Sequence, residues 1–520
     1  MKVKKAASLL FVGAMALGLL AGCGSSEESD DTLTSAAAAE EEVTEFTGFD
    51  ETVEIDVYGL SFYGDDGLDE VIAAINEISL EEINVQINYT AMDTSTYAEQ
   101  VSLMLSGGES FDLFMATAIP VVGYTTMQSL NQLMDISDYL GVYASETEEM
   151  MADYLECTSL GDEIYAVPCY RTYNSNYYII MREDILEELD LVEEAEAIDS
   201  WSDYEAILQQ VADAQDELPE DMQTNAVICN QDGDGTVLTG SGSNIGSDDF
   251  SENYGFEAIS NYCYVDEDGN ISNYFATDDF LATIERVYSW YNEGLVYKDA
   301  ATSEDTGDTN MANGVTFSYV ISSEIGVEAS KRNATGYDVV TVEIHDMPIQ
   351  TSQVNGWAWA VPTTSENPEA AVAFMNLMYT NAEIENLFVY GIEGRDYELN
   401  DEGEAVILDT AEYQSSDFFY GNQFLAYAPE GMGGDFREVA LAALEEAEFS
   451  DYFGWSVDSD EVSNEVTAVS NVLTKYYAGL SSGTLDPSTI DTMLEEMEDA
   501  GLQEIFDCYQ EQLDEWLAEQ

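Results

Sequence analysis

Few side chains of this 520-residue chain are of a type that does chemistry, and their spacing narrows the set further. The one histidine, His345, follows the strand-like run Val339–Ile344 and precedes Asp346. A histidine zinc site needs two or more, and a Ser–His–Asp or Cys–His enzyme would have to use His345 itself. It reads as a satisfied or exposed histidine. Gly479-Leu-Ser481-Ser-Gly483 has the spacing of a nucleophile elbow. It follows a helical pattern rather than a strand, and His345 precedes it, the wrong order for an α/β hydrolase. Gly240-Ser-Gly242 has no helical run after it, so it is no dinucleotide fingerprint, and no phosphate-binding P-loop is present. Asn230-x-Asp232-x-Asp234-Gly235 has the spacing of the first half of a calcium loop, but position twelve is Ser241, where a bidentate Glu is needed. It reads as a solvated Asp/Gly turn. Aspartate and glutamate number 106, so carboxylate pairs suited to glycoside hydrolysis can be found anywhere and none stands out. No catalytic residue, metal or cofactor is expected.

Those 106 acids face 12 lysines and arginines, a formal net charge of −94. A phosphate backbone would be repelled, which excludes nucleic acid as a main partner. The same field argues against docking on anionic lipid through a basic patch. Hydrophobic residues make up 45% and aromatics 11%, enough to fill sizeable cores, so a disordered acidic chain is excluded as well. The length suits two large lobes, or about three domains of roughly 150 residues. Of six cysteines, the five beyond Cys23, namely Cys157, Cys169, Cys229, Cys263 and Cys508, form no C-x-x-C or zinc spacing, and five is odd, so at least one of them is unpaired. Buried thiols are expected.

The elements that position these residues follow from periodicity. Thr52–Tyr58 alternates, with Val53, Ile55 and Val57 on one face. Leu68, Val71, Ile72, Ile75 and Ile78 recur at helical spacing, and Ile83, Val85, Ile87 and Tyr89 alternate again. Thr96 and Glu99 fit a capping box before a helix that stops at Gly107, and Phe111–Met115 reads as a short buried strand. Strand–helix–strand–helix–strand implies a parallel α/β sheet, whose ligands sit beyond the carboxyl ends of the strands. That points to Leu60–Gly67 and Ala116–Tyr124. Tyr165–Pro168 is another strand, stopped by proline. Thr277 caps a helix ended by Gly294, Val315–Val320 and Tyr337–Ile344 return to strand patterning, and Asn367-Pro368 and Asp486-Pro487 start further helices. Long α/β runs around a Pro-stopped crossover imply two lobes with the chain passing between them more than once, and a cleft that closes by hinge bending.

The first residues read as an address. Lys2, Lys4 and Lys5 precede the apolar run Leu9–Leu20, too short to span a bilayer comfortably. It ends Leu20-Ala21-Gly22-Cys23, which resembles the lipobox of bacterial lipoproteins. That resemblance implies a signal peptide over residues 1–22, a lipidated Cys23, and anchorage on the extracytoplasmic face of the cell membrane. Residues 23–49, acidic and without core patterning up to about Glu45, read as a flexible tether. Loss of residues 1–22 removes three lysines and no acid, leaving nine basic side chains.

With these segments placed, the chain resembles an extracellular solute-binding protein of the maltose-binding-like class, the capture component of an ABC importer. The likeness is carried by Glu54-Ile-Asp-Val-Tyr-Gly59, Gly161-Asp-Glu-Ile-Tyr-Ala-Val-Pro168, Asn273-Tyr-Phe-Ala-Thr277 with Trp290-Tyr-Asn-Glu-Gly294, Asn355-Gly-Trp-Ala-Trp-Ala-Val-Pro362, and Tyr390-Gly-Ile-Glu-Gly-Arg-Asp-Tyr397. Phe453-Gly-Trp through the Gln510–Trp516 end is similar to the C-terminal region of the LipO-like (LplA-like) lipoprotein branch. The resemblance implies a two-lobed periplasmic-binding-protein-like fold of type II, each lobe a mostly parallel sheet flanked by helices, with a helical C-terminal region. It places residues 50–165 and 305–355 in one lobe, and 166–304 and 356–520 in the other. It implies a non-enzymatic monomer that hands a small solute to ABC permease subunits.

Sugar recognition favours aromatic faces over apolar sugar faces, with planar polar groups reading hydroxyls. Phe62 and Tyr63 follow the first strand, Tyr170, Arg171 and Tyr173 follow the crossover, and Trp357 alternates with Trp359 on one strand face. Arg171 and Arg395 are two of the few cations, suited to a carboxylate or to hydroxyls if they face the cleft and to ion pairs if they do not. Asp66, Asp112, Thr117 and Asn355 are further candidates at predicted strand ends. An oligosaccharide is the expected cargo, and a neutral one given the charge. The alternatives are a peptide or another small solute on the same fold, or a surface glycoside hydrolase.

Overall fold

Alternation along the first strand buries Ile55 and Val57 while Glu54 and Asp56 face solvent, and Gly59 leaves room for a neighbour. A Cβ on Gly59 would collide with the Tyr89 hydroxyl, so the tyrosine packs across the strand only because no side chain is there. The computed structural model describes residues 46–519 other than 118–121, 174–175, 239–242 and 346. The leader, Cys23, Ser241, the Gly240–Gly242 motif and Asp346 lie outside the described residues. The last four residues of the expected tether do not dangle: Phe46 and Phe49 pack on Tyr143, with centroids 5.0 and 6.0 Å away, and the Phe49 amide bonds the Ile83 carbonyl at 3.0 Å.

Two sheets carry the architecture. Their strands are β1 (Val53–Ser61), β2 (Val85–Asp93), β3 (Leu113–Thr117), β4 (Ala166–Pro168), β5 (Asn176–Arg182), β6 (Ala226–Ile228), β7 (Thr316–Ser323), β8 (Val339–His345) and β9 (Trp357–Ala360). The first sheet runs β2-β1-β3-β9-β4 and the second β8-β5-β7-β6. Each has one reversed strand: β9 is antiparallel to β3 and β4, and β5 is antiparallel to β7 and β8. Both reversed strands follow a crossing between lobes. Every residue of β3 and of β5 is buried, as expected for central strands covered on both faces.

The sheet pairings correct the expected division of the chain. Residues 305–355 were assigned to the first lobe, yet β7 and β8 flank β5 in the second sheet. Residues from 356 were assigned to the second lobe, yet β9 sits between β3 and β4 in the first. The chain returns near Met347–Ile349. Strand periodicity identifies such segments but carries no information about which ladder accepts them. Thr96 is also not a cap: the helix begins at Thr94, and the Thr96 hydroxyl donates to the Asp93 carbonyl.

Helices cover both sheets: α1 (Leu68–Glu82), α2 (Thr94–Gly107), α3 (Trp201–Ala214), α4 (Asp278–Glu293), α5 (Pro368–Thr380) and α6 (Ala382–Tyr390). α4 has the expected ends, with Thr277 Oγ1 accepting from the Phe280 amide at 3.1 Å and Gly294 left-handed at φ 82°. A third core joins residues 256–284 to the C-terminal helices α7 (Ser463–Ser481), α8 (Thr489–Asp499) and α9 (Leu502–Glu519), around Phe280, Met493, Leu502 and Leu513. The thiols of Cys157, Cys169, Cys229 and Cys263 are buried, and that of Cys508 is half-buried.

On α6, Glu385 is fully buried. Burial pushes its carboxyl up to about 8, and Asp417 adds to this against the Gly421 and Asn422 amides and Arg437. A raised carboxyl holds its proton in the folded state while the unfolded chain has already released it, so stability falls as pH rises from about 4.5 to 8. Glu385→Gln should therefore raise the melting temperature over wild type at pH 8 by several degrees, and the gain should close toward pH 4.5.

Candidate functional site

The carboxyl edge of the first sheet gathers aromatic rings. β1 ends at Ser61, and the next two residues, Phe62 and Tyr63, are 45% and 58% exposed. β9 runs antiparallel to β3 with Trp357 opposite Thr117, so Trp357 starts at the edge where β3 ends. Phe62 lies 5.8 Å from Phe418, and Trp357 lies 5.2 Å from Phe418 at 77°. Phe62, Trp357 and Phe418 thus form one patch, backed by the buried Phe419. Phe418 was not singled out in the sequence. Its only signal is the run Phe418-Phe419-Tyr420 outside any periodic element. Trp359, on the same face as Trp357, is fully buried core.

The remaining candidates disperse. Asp112 stands at the amino end of β3, away from the patch, and is buried. It accepts from the Asp56 amide, the Ser365 hydroxyl and the Asn367 amide, so it ties β1 to the start of α5. Tyr173 is core, its hydroxyl 2.6 Å from the Cys169 carbonyl. Tyr170 is half-buried against Phe424 at 4.9 Å. Thr117 is buried at the end of β3, and Asp66 is exposed on the loop after β1. Asn355 bonds the Cys157 carbonyl and Ser456, beside a small cavity of about 150 Å³ that Glu257 also lines. Arg395 is held by Asp396 at 2.6 Å and donates to the Gly67 carbonyl at 3.1 Å, so it pins the loop that carries Phe62 and Tyr63. Asp396 keeps its guanidinium above the ordinary range.

Arg171 joins the lobes. It pairs with Glu324, just past β7, at 3.0 Å, and Thr172 Oγ1 donates to the same carboxylate at 3.0 Å. Burial raises the Glu324 carboxyl, and Arg171 opposes the shift. The pattern is general: all nine lysines and arginines beyond residue 22 are in ion pairs, at 2.5 to 3.8 Å.

Two cavities open at the second sheet. One of about 1070 Å³ reaches from Asn176 and His345 across to Ala443 and Glu446 on the first lobe. His345 is buried and stacked on Tyr177 at 5.7 Å. The other, of about 440 Å³, is lined by Tyr177, Gln231, Asp234, Tyr274 and Phe275 and by residues of α7. The Asn230–Thr236 turn forms part of it. Its side chains close on the turn itself: Asn230 Nδ2 donates to the Asp232 and Asp305 carbonyls, and Asp234 Oδ1 accepts from the Thr236 amide. Among the described residues no group of three or more His, Cys, Asp or Glu side chains is placed to hold a metal ion. Ser481 of the elbow-like motif is buried in α7 and donates to the Tyr477 carbonyl.

Two lobes of this construction, joined by crossing segments, are accompanied by a match of residues 70–391 to the family of bacterial extracellular solute-binding proteins. The chain belongs to that family. A second match covers residues 451–518 of this solute-binding protein, to a domain of unknown function, DUF3502. A protein of Streptococcus pneumoniae serotype 4 described as a carbohydrate ABC transporter substrate-binding protein is 23% identical over 473 residues, 87% of this chain and 89% of the relative. The N-glycan transport solute-binding protein NgtS of S. pneumoniae superposes with a TM-score of 0.74 at 19% identity, over 89% of this chain and 99% of that one. The S. pneumoniae protein FusA in complex with kestose superposes with a TM-score of 0.60 at 13% identity, over 90% and 100%.

The cross-lobe pair can be tested directly. Arg171→Met leaves Glu324 without its cation, beside the negative Asp417, in a partly buried site. Loss of one partner of a buried pair is strongly destabilising, so a drop of about 2–4 kcal/mol is expected in a denaturant titration. Lys298→Met, at an exposed pair with side chains 79% and 57% accessible, should leave the midpoint unchanged.

Proposed function

We propose that this solute-binding protein captures a neutral oligosaccharide between its lobes, without altering it, and hands it to the permease of an ABC importer. The observation that carries this is the Phe62–Trp357–Phe418 patch at the carboxyl edge of the first sheet, with Tyr63 exposed beside it. Aromatic faces at a strand-end edge, exposed at Phe62 and Tyr63 and half-buried at Trp357 and Phe418, suit the apolar faces of sugar rings. The names of the pneumococcal relatives, which refer to carbohydrate, N-glycan and kestose, support the same cargo. Neutrality rests on charge. With every cation beyond residue 22 already paired and a net charge of −94, an anionic ligand would find no free countercharge. Arg171 and Arg395 act in this reading as structural ties.

Anchorage belongs to the same proposal. Cys23 carries the lipid and residues 24–45 space the body from the membrane on its extracytoplasmic side. Among the described residues no helix is long and apolar enough to cross a membrane. Cys23→Ala should move the protein from the membrane fraction to the medium and abolish labelling by a fatty-acid probe.

Calorimetry and thermal shift against a glycan panel test the cargo. Neutral oligosaccharides should raise the melting temperature, by an amount set by ligand concentration over Kd. Uronate oligomers should not. Trp357→Ala should weaken binding by about 1–2 kcal/mol, roughly tenfold. Stabilisation by peptides alone, or release of cleaved sugar during incubation, would reject the reading.

A further inference from the structure

The 440 Å³ cavity of the second lobe has a wall from a distant part of the chain. Tyr177 comes from β5, Gln231 and Asp234 from the turn after β6, and Tyr274 and Phe275 from the segment before α4. The opposite side is α7, through Thr474 and Tyr477. α7 lies inside the C-terminal stretch that matches a domain of unknown function. We propose that this C-terminal unit is part of the ligand-binding surface, and that α7 closes a subsite for one neutral sugar ring. The inference rests on the carbohydrate reading above.

The wall is built, not draped. Gly235 has φ 83°, and a Cβ there would stand 3.1 Å from the Ala478 carbonyl oxygen, so the turn and the helix touch backbone to backbone. Thr236 Oγ1 donates to the Tyr477 hydroxyl at 3.0 Å, and the Val237 amide bonds the Ser481 carbonyl at 3.3 Å. Phe275 meets Tyr477 edge-on at 6.0 Å. Behind α7, Val469, Tyr476 and Leu480 are buried in the third core. The helix therefore holds its place relative to the turn whether or not a ligand is present.

The lining chemistry selects the ligand class. Tyr477 offers a half-buried aromatic face, the buried Tyr177, Tyr274 and Phe275 form the apolar wall, and Gln231, Asn261, Asp234 and Thr474 offer hydrogen-bonding groups that suit hydroxyls. The Oε1 of Gln231 is buried and has no protein partner. The volume falls within the roughly 300–1,000 Å³ of small-molecule sites. No lysine or arginine lines the cavity, and the nearby Lys475 is bound to Glu496 at 2.7 Å. A uronate ring would meet Asp234 with nothing to offset it.

The test is calorimetry of the full chain with neutral and uronate oligosaccharides. Thr474 is exposed on its helix, so Thr474→Trp fills the cavity at a position where the fold tolerates size. We expect at least a tenfold loss of affinity for the neutral glycan, with the ligand-free melting temperature unchanged. Asp234→Asn tests the same wall without added bulk, and should reduce the preference for neutral over uronate glycans. If wild type binds a neutral glycan, Trp357→Ala weakens it, and both cavity variants keep wild-type affinity and preference, the inference falls and the carbohydrate reading stands. If wild type binds none of the glycans, that reading falls and takes the subsite with it.

Discussion

Two fully buried strands, Leu113–Thr117 and Asn176–Arg182, dictate where the loops of this protein can go. Each is the centre of a sheet whose ladders must be satisfied on both sides, because an unpaired backbone group in such a position is costly. The ladder partners then fix register, and register fixes which loop ends where. Trp357 meets Thr117, and Ser323 meets Asn176. Phe62 and Trp357 on one lobe, and Asn176 and Glu324 on the other, lie at strand ends for that reason alone. The surface at those strand ends is a by-product of pairing, decorated by whichever side chains those positions carry.

Charge acts on this frame as a second constraint. A net charge of −94 opposes compaction, and some of the few cations lie where separate segments meet, while others such as Lys298 pair with a sequence neighbour. Arg171 ties the lobes through Glu324, Arg395 ties the loop after β1 to Asp396, and Arg437 holds Asp417 next to the aromatic patch. Lys331 pairs with Asp308 between neighbouring helices of the second lobe. Isolated surface pairs add little to stability, but these are partly buried and link separate elements. The lining of the 440 Å³ cavity accordingly holds no lysine or arginine.

Much of this was legible in advance because local patterns report local structure. The β1–α1–β2–α2–β3 order, the Thr277 and Gly294 helix ends and the Pro368 helix start are all set by residues within a turn or two of one another. The lobe membership of residues 305–355 and of Trp357–Ala360 was not legible, since alternation says that a segment is a strand and not which sheet it joins. The site was legible in part. Phe62 and Trp357, picked because they flank strand ends, are brought into one aromatic patch through Phe418. Tyr173 and Asp112 were misplaced because burial and strand polarity depend on contacts distant in sequence. Phe418 and Tyr477 were passed over, one outside any periodic element and the other on a helix with no visible link to the second lobe.

The C-terminal unit also constrains how the lobes can move. It is fused to the second lobe through the shared core of residues 256–284 and through the turn at Gly235. Yet it also touches the first lobe beside the return crossing. Asn355 bonds Ser456 and the Gly454 amide bonds Thr351 Oγ1 at 2.9 Å, while Gln350 beside them donates to the Phe256 carbonyl of the second lobe. Points close to a rotation axis move least, so a hinge that keeps these bonds must pass near the short helix Thr351–Asn355. Contacts farther from that helix, such as Asn333 with the Glu430 carbonyl, are the ones such a rotation would stretch first. Arg171 lies against that helix, donating to the Gln353 carbonyl at 3.2 Å. An ion pair beside that helix would keep its length in any rotation about it, which suits a joint better than a latch.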